Sequence, residues 1–263
     1  MQTITTDVKS ASPFTLYKKP LICLPAYNEE ESIGEVLDNI LAMPDIERYD
    51  ILVVDDGSVD DTRSICESKG VMVITHIYNM GYGAALKTAY KYATEYGYGY
   101  LIQMDADGQH DVSNIEKIYK KLTENQLSPD IIIGSRFLEN SVSFKIPFYK
   151  RLVMIAFCWF IKFTTKIKIT DSTSGLQGLN RRAFTFYSKY DQFARDYPDA
   201  NMIIQMLMND FMVSEIPAVM HERQAGVSMH SGIYKPLKYI FIMTISVMIA
   251  YMRGLFAVKS LNK

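Results

Sequence analysis

The chain has 263 residues, 48% hydrophobic and 22% charged, with a formal net charge of −1. This composition suits one large globular α/β domain with a helical appendage and excludes a long disordered tract. The near-zero charge excludes a global pull toward nucleic acid, so any electrostatic partnership must be local.

Residues 1–18 read as a polar leader without the apolar segment of a secretory signal. "PLICLPAY" then predicts a short buried strand. "EESIGEVLDNILAM" follows with helical spacing at Ile33, Val36, Leu37, Ile40 and Leu41. "YDILVVDDGS" is a second strand ended by acid, with Ser58, Asp60 and Asp61 as capping residues of the next helix. "GVMVITHI" and "GYGAALKTAYKYATEYG" give a third strand and helix. "GYGYLIQMDADG" gives a fourth strand, followed by a helix from about Val112 to Leu122, and "PDIIIGSRF" a fifth strand. Short, continuously apolar strands alternating with helices predict a mostly parallel α/β sheet covered on both faces.

Beyond Arg136 the rhythm breaks. "FYKRLVMIAFCWFIKFTTKIK" holds an apolar run, Leu152 to Ile161, between Lys150/Arg151 and Lys162. "TDSTSGLQGLNRRAF" reads as a polar loop entering a helix, and residues 199–231 as helix, strand and basic loop. The rear of the chain is greasier: nine of its fifteen methionines follow residue 200, and residues 239–252 form an uncharged stretch between Lys238 and Arg253. Cys23, Cys66 and Cys158 show no CxxC or Cys/His metal spacing and read as reduced core thiols, which favours the cytosol.

In open α/β sheets ligands gather at the carboxyl ends of parallel strands. Here those ends carry Pro25-Ala26-Tyr27-Asn28-Glu29, Asp55-Asp56-Gly57-Ser58, Asp105-Ala106-Asp107 and Gly134-Ser135-Arg136. Asp105 and Asp107 leave a strand two residues apart and project to one side. Carboxylates so close repel unless a cation lies between them, and hard Mg²⁺ or Mn²⁺ shares such oxygens with substrate phosphates. The pair implies a divalent metal and a diphosphate, with Gln109 a neutral oxygen donor; His110 and Asp111 carry no assignment. "DADGQ" superficially matches the DxDG of aspartyl-phosphate phosphatases, but Gln109 stands where a Thr or Ser belongs. "GYGAAL" lacks the third glycine of a dinucleotide fingerprint.

Together, "LPAYNEEESI", "VVDDGSVDDT", "NMGYGAALKTA", "MDADGQHD" and "GSRF" resemble the inverting family 2 glycosyltransferases of GT-A fold, in the branch of dolichyl-phosphate mannosyltransferase-like enzymes that make polyprenyl-phosphate sugars. The resemblance covers residues 20 to about 230. It implies that Pro25, Tyr27, Asn28 and Glu29 bind the nucleotide, that Asp56 contacts the base, and that Asn79, Gly81 and Gly83 close over it. It implies metal binding by Asp105, Asp107 and Gln109, and a place for Arg136 near the phosphates. "DSTSGLQG" resembles the branch's D-x-TSG-F-R segment, with Leu176 and Gln177 in place of the aromatic and the arginine; Arg181 and Arg182 are the nearby alternatives. "EIPAVMHERQAGVSMHS" implies a phosphate-gripping loop with Arg223, Gly226 and Ser228.

The implied activity is transfer of a sugar, UDP-linked by expectation, to a polyprenyl phosphate whose anionic oxygen needs no strong general base. A glycan or lipid-linked oligosaccharide acceptor would need one; Asp196 or Asp199 would serve, although both read more simply as a helix cap or surface acid. A phosphohydrolase and a non-catalytic nucleotide-sugar-binding module are the alternatives of another class. A membrane span needs about 20 apolar residues, so the helices at about 147–165 and in 233–263 are expected to lie in the interface. Burial in the core or against a second copy, or a true span by the tail, are the other ways to cover them. The expected organisation is a leader (1–18), a GT-A domain (19–232) and a membrane-associating segment (233–263), peripheral on the cytoplasmic membrane face.

Overall fold

The computed structural model describes residues 19–124, 128–191, 193–223 and 234–261. The leader, Gly226 and Ser228 lie outside them. Seven strands form one sheet: β1 (Leu21–Ala26), β2 (Asp50–Asp55), β3 (Met72–Thr75), β4 (Tyr100–Gln103), β5 (Ile131–Ser135), β6 (Gln177–Asn180) and β7 (Val213–Pro217). Their order is β3-β2-β1-β4-β6-β5-β7, and every neighbouring pair is parallel except those of β6, which runs antiparallel to β4 and β5. Successive side chains of a strand point to opposite faces. Leu21 and Cys23 therefore enter one core layer while Ile22, Leu24 and Ala26 enter the other. Both faces are covered, which is why these strands read as unbroken apolar runs rather than alternating ones.

One face carries α1 (Ile33–Leu41), α2 (Thr62–Ser68) and α4 (Ser113–Thr123), through residues such as Leu37, Cys66 and Ile118. The other carries α3 (Tyr82–Glu95), α5 (Phe148–Thr165), α6 (Arg181–Lys189), α7 (Ala200–Leu207) and α8 (Tyr234–Leu261), through Leu86, Ile161, Phe184, Ile204 and Met243. A fully buried Leu or Ile contributes about 1.5–3 kcal/mol relative to its exposed state, so each layer rests on many comparable contacts.

Strand β6 falls in the segment expected to be a loop. "QGLN" carries no β-branched or aromatic residue, and tertiary packing rather than propensity places it. Gly178 shows how: a Cβ there would lie 2.1 Å from Cγ2 of Ile118, so only glycine lets α4 settle on this strand.

Helix α8 is longer than its uncharged stretch and runs through Lys238 and Arg253. Lys238–Leu255 is long and apolar enough to cross a membrane by length and composition alone, at mean hydropathy 1.3. One face of α8, with Tyr239, Met243, Val247 and Ala250, is buried in the core. Helix α7 packs against both α5 and α8, and Phe160 of α5 meets Tyr251 of α8 edge to face at 6.0 Å.

Candidate active site

Because β1, β2, β4, β5 and β7 are parallel, the loops leaving them share one sheet edge, where they line a cavity of about 1210 Å³. After β1, Asn28 takes a left-handed conformation (φ 54°); its N–H donates to Ser58 Oγ at 2.9 Å and its Oδ1 accepts from Val59 N–H at 3.0 Å. Ser58 thus braces two loops instead of capping α2. Asp60 Oδ1 accepts from Thr62 N–H (3.1 Å), whereas the Asp61 side chain makes no capping bond.

Asp56 is buried under a loop that it holds by three donors. His76 Nδ1 (2.6 Å) and Met80 N–H (2.9 Å) meet Oδ1, and Gly81 N–H (2.7 Å) meets Oδ2. That loop includes Asn79 and Gly81 and leads into Gly83 at the start of α3. Gly81 has φ 103°, and a Cβ on Gly83 would lie 1.9 Å from the Ala194 carbonyl oxygen. Both glycines are dictated by close backbone approach.

Beyond β4, Asp105 and Asp107 both face the cavity, as does Gln109. Tyr82 Oη donates to Asp105 Oδ1 at 2.8 Å, and His110 Nε2 lies 3.0 Å from Oδ2. Burial alone would raise the Asp105 carboxyl; the bond and charge of His110, then Tyr82 and Arg223, outweigh it and hold it below the ordinary value. Asp107 Oδ1 accepts from Gln109 N–H (3.0 Å), while Oδ2 accepts from Nε (3.0 Å) and Nη2 (2.8 Å) of Arg223. Arg223 Nη2 also reaches Glu29 Oε1 at 3.3 Å, tying the loops after β1, β4 and β7 together. Burial pushes the Glu29 carboxyl up against the opposing pull of Arg223.

Arg136, after β5, makes two bonds of 2.7 Å to the fully buried Asp171 and one of 2.8 Å to Thr173 Oγ1. Asp171 is anchored in turn, its N–H donating to Glu215 of β7 at 2.9 Å. Asp196 and Asp199 both line the cavity. Asp199 is neither a side-chain cap of α7 nor a surface acid. It accepts from Tyr239 Oη at 3.0 Å, and burial pushes its carboxyl up to about 6.

The structure does not bring Arg181 and Arg182 to this site. Strand β6 runs against its neighbours, so Asn180 pairs with Tyr100 at the opposite edge and α6 begins there. Arg181 donates to the Tyr98 carbonyl (3.0 Å), and Arg182 pairs with Asp130 (2.7 Å) over the ring of Phe211. Gln177 is buried and donates to the Ser174 carbonyl. Two cations absent from the sequence-derived set do line the cavity: Lys150 of α5 and Lys238 of α8. Neither makes an ion pair among the described residues.

Among the described residues, ten carboxylates line the cavity against four cations, Arg136, Lys150, Arg223 and Lys238. So acidic a wall repels a diphosphate unless a divalent cation accompanies it. Among the described residues no group of three or more His, Cys, Asp or Glu side chains gathers as a complete metal shell. Two carboxylates with phosphate oxygens completing the coordination is the pattern that Mg²⁺-type sites favour, and the donors here fit it.

Residues 21–187 match the family described as Glycosyl transferase family 2. The chain is 30% identical to the UDP-N-acetylglucosamine--dolichyl-phosphate N-acetylglucosaminyltransferase of Methanococcus voltae, over 74% of this chain and 83% of that one. It is 27% identical to the polyprenol monophosphomannose synthase of Mycolicibacterium smegmatis, over 82% of each. Glucosyl-3-phosphoglycerate synthase from Mycobacterium tuberculosis, crystallised with Mn²⁺, UDP and glucosyl-3-phosphoglycerate, has a similar fold. Its TM-score is 0.62 at 17% identity, covering 89% of this chain and 80% of that one. The mostly parallel sheet with its acidic carboxyl edge is the GT-A fold, and the chain belongs to glycosyl transferase family 2.

Proposed function

We propose that the protein is a metal-dependent inverting glycosyltransferase that moves a sugar from a UDP-linked donor to a polyprenyl phosphate at the cytoplasmic face of a membrane. The observation that carries this reading is the continuity of the cavity wall. It runs from Asp105 and Asp107 to the apolar Val153, Met154 and Ile240 and to Lys150 and Lys238, which make no ion pair among the described residues, on the two helices that present apolar stripes to solvent. The dolichyl- and polyprenol-phosphate chemistry named for the two relatives supports the same acceptor class.

The loop held by Asp56, with Asn28 and Tyr27 opposite, binds the nucleoside. Asp105, Asp107 and the Gln109 side chain would hold a divalent cation, which neutralises the departing diphosphate. Arg136 and Arg223 add fixed positive charge beside it. The acceptor phosphate oxygen is already anionic, so it attacks the anomeric carbon directly and displaces the diphosphate with inversion. Lys150 and Lys238 hold that phosphate as point charges, the task that Arg181 and Arg182 are placed too far away to perform. Ser228, expected in the loop after Arg223, lies outside the described residues.

Both surface helices support peripheral attachment. Phe148, Leu152, Ile155, Trp159 and Phe163 of α5, and Phe241, Ile245, Met248, Met252 and Leu255 of α8, are exposed at helical spacing; Trp159 is 63% and Phe241 68% accessible. Exposed apolar stripes of this size mark an interaction surface. A helix with its other face packed on α7 is suited to lying in the interface rather than to being surrounded by lipid. The three cysteines remain free thiols, in keeping with a reducing compartment.

A second reading, extension of a glycan or lipid-linked oligosaccharide, draws on Asp199. A cavity carboxylate raised to about 6 is suited to take a proton from an attacking hydroxyl. Incubation with labelled nucleotide sugars, Mn²⁺ and undecaprenyl phosphate separates the two. Label extracted into butanol supports the lipid-phosphate acceptor, and label found only on a water-soluble glycan overturns it.

A further inference from the structure

Both oxygens of Asp105 are engaged from within the protein. Tyr82 Oη holds Oδ1 and His110 Nε2 holds Oδ2. Gly175 backs the same carboxylate so closely that a Cβ there would sit 2.7 Å from Oδ2. His110 is buried, its backbone bridges to Met220, and its Nδ1 has no hydrogen-bond partner among the described residues. Against the acceptor-only carboxylate of Asp105, Nε2 is the donor of this bond. Each carboxylate oxygen has two lone-pair directions. Tyr82 and His110 take one on each and fix the carboxylate's rotation.

Tyr82 also stands at the end of the nucleotide loop. Asp56 binds Met80 and Gly81 N–H, and the next residue is Tyr82 itself. A continuous chain of bonds therefore links His76, Asp56, residues 80–82 and Asp105.

We infer that Tyr82 and His110 are positioning residues that fix Asp105 in the orientation in which it receives a divalent cation, and that Tyr82 ties this orientation to the loop over the nucleotide. This rests on the proposed metal role of Asp105. Partners that orient a metal ligand characteristically change metal affinity without touching the metal.

The test is an electron paramagnetic resonance titration of free Mn²⁺ against the full chain with UDP present, comparing wild type with Tyr82→Phe. The variant keeps the ring and removes only the hydroxyl. The Mn²⁺ dissociation constant should rise about 10-fold, while metal-free UDP affinity stays within about twofold because Asp56 still holds the loop. His110→Phe should weaken Mn²⁺ in the same way. An unchanged Mn²⁺ affinity in Tyr82→Phe overturns the inference, as does an equal loss of metal-free UDP binding, which would mark a merely structural role. Asp105→Asn keeps the two failures apart. If it weakens Mn²⁺ while Tyr82→Phe does not, the positioning role alone is wrong. If it leaves Mn²⁺ unaffected, the metal assignment itself is wrong.

Discussion

Gly83→Ala is the substitution whose effect follows most directly from geometry. The new Cβ would lie 1.9 Å from the Ala194 carbonyl oxygen and 2.8 Å from that of Arg195. Both obstacles are backbone, so no side-chain rotation relieves them. Moving α3 and residues 194–195 apart also breaks the bond of 2.7 Å from Gly83 N–H to the Arg195 carbonyl. Overpacking of this kind costs about 1–3 kcal/mol, and the lost hydrogen bond about 0.5–1.5 kcal/mol. The entropy removed from the unfolded chain by alanine returns about 0.4–1 kcal/mol. A net destabilisation centred on about 2 kcal/mol is expected in urea unfolding followed by circular dichroism. The same displacement moves Asn79 and Gly81, so KM for the donor should rise while a lipid-acceptor KM stays near the wild-type value. A variant within about 0.5 kcal/mol of wild type, with donor KM unchanged, would refute this account of the glycine loop.

Asp107→Asn preserves shape and the Gln109 contact but removes the charge that faces Arg223; kcat should fall about 100- to 1000-fold in a transfer assay with modest change in melting temperature. Retention of most activity would count against the metal assignment. For Asp199, the folded pKa of about 6 lies above the ordinary carboxylate value. Between those two values the folded protein keeps a proton that the unfolded chain has lost, so wild-type stability falls as pH rises through the window. Asp199→Asn should therefore raise the melting temperature near neutral pH and lose that advantage near about pH 4; a pH-independent difference would contradict the burial of this group. Replacing Trp159 and Phe241 together by serine should reduce flotation with anionic vesicles at unchanged stability, since both are exposed; unchanged flotation would point to a second protein copy as the cover for these helices.

Much of the fold was legible because its signals are local. Continuous apolar strands ended by Asp55-Asp56 or Asp105-Ala106-Asp107, each followed by an amphipathic helix, specify a parallel sheet with acid at one edge. Strand β6 was not legible, because what places "QGLN" is the fit of Gly178 beneath Ile118, a contact between residues 60 positions apart. Its reversal also explains why Arg181 and Arg182, close to the site in sequence, lie at the far edge. Asp56 was recognisable as a candidate site residue, but its grip on Met80 and Gly81 depends on a turn that spacing does not encode. Lys150 and Lys238 lay in plain view as charges flanking apolar runs. Only the packing of α5 and α8 beside α7 brings them to one cavity wall. Asp199 looked like a helix cap and proved to be a half-buried partner of Tyr239, 40 residues away.

The central claim, transfer of a sugar to a lipid phosphate oxygen, is tested most directly by phosphorus NMR of the acceptor. With a UDP-sugar, Mn²⁺ and a polyprenyl phosphate, the account predicts that the monoester signal converts to that of a phosphodiester linked to the sugar's anomeric carbon with inverted configuration, and that a chelator stops the conversion. A monoester that persists while sugar appears on a hydroxyl, or that decays to inorganic phosphate, would contradict it.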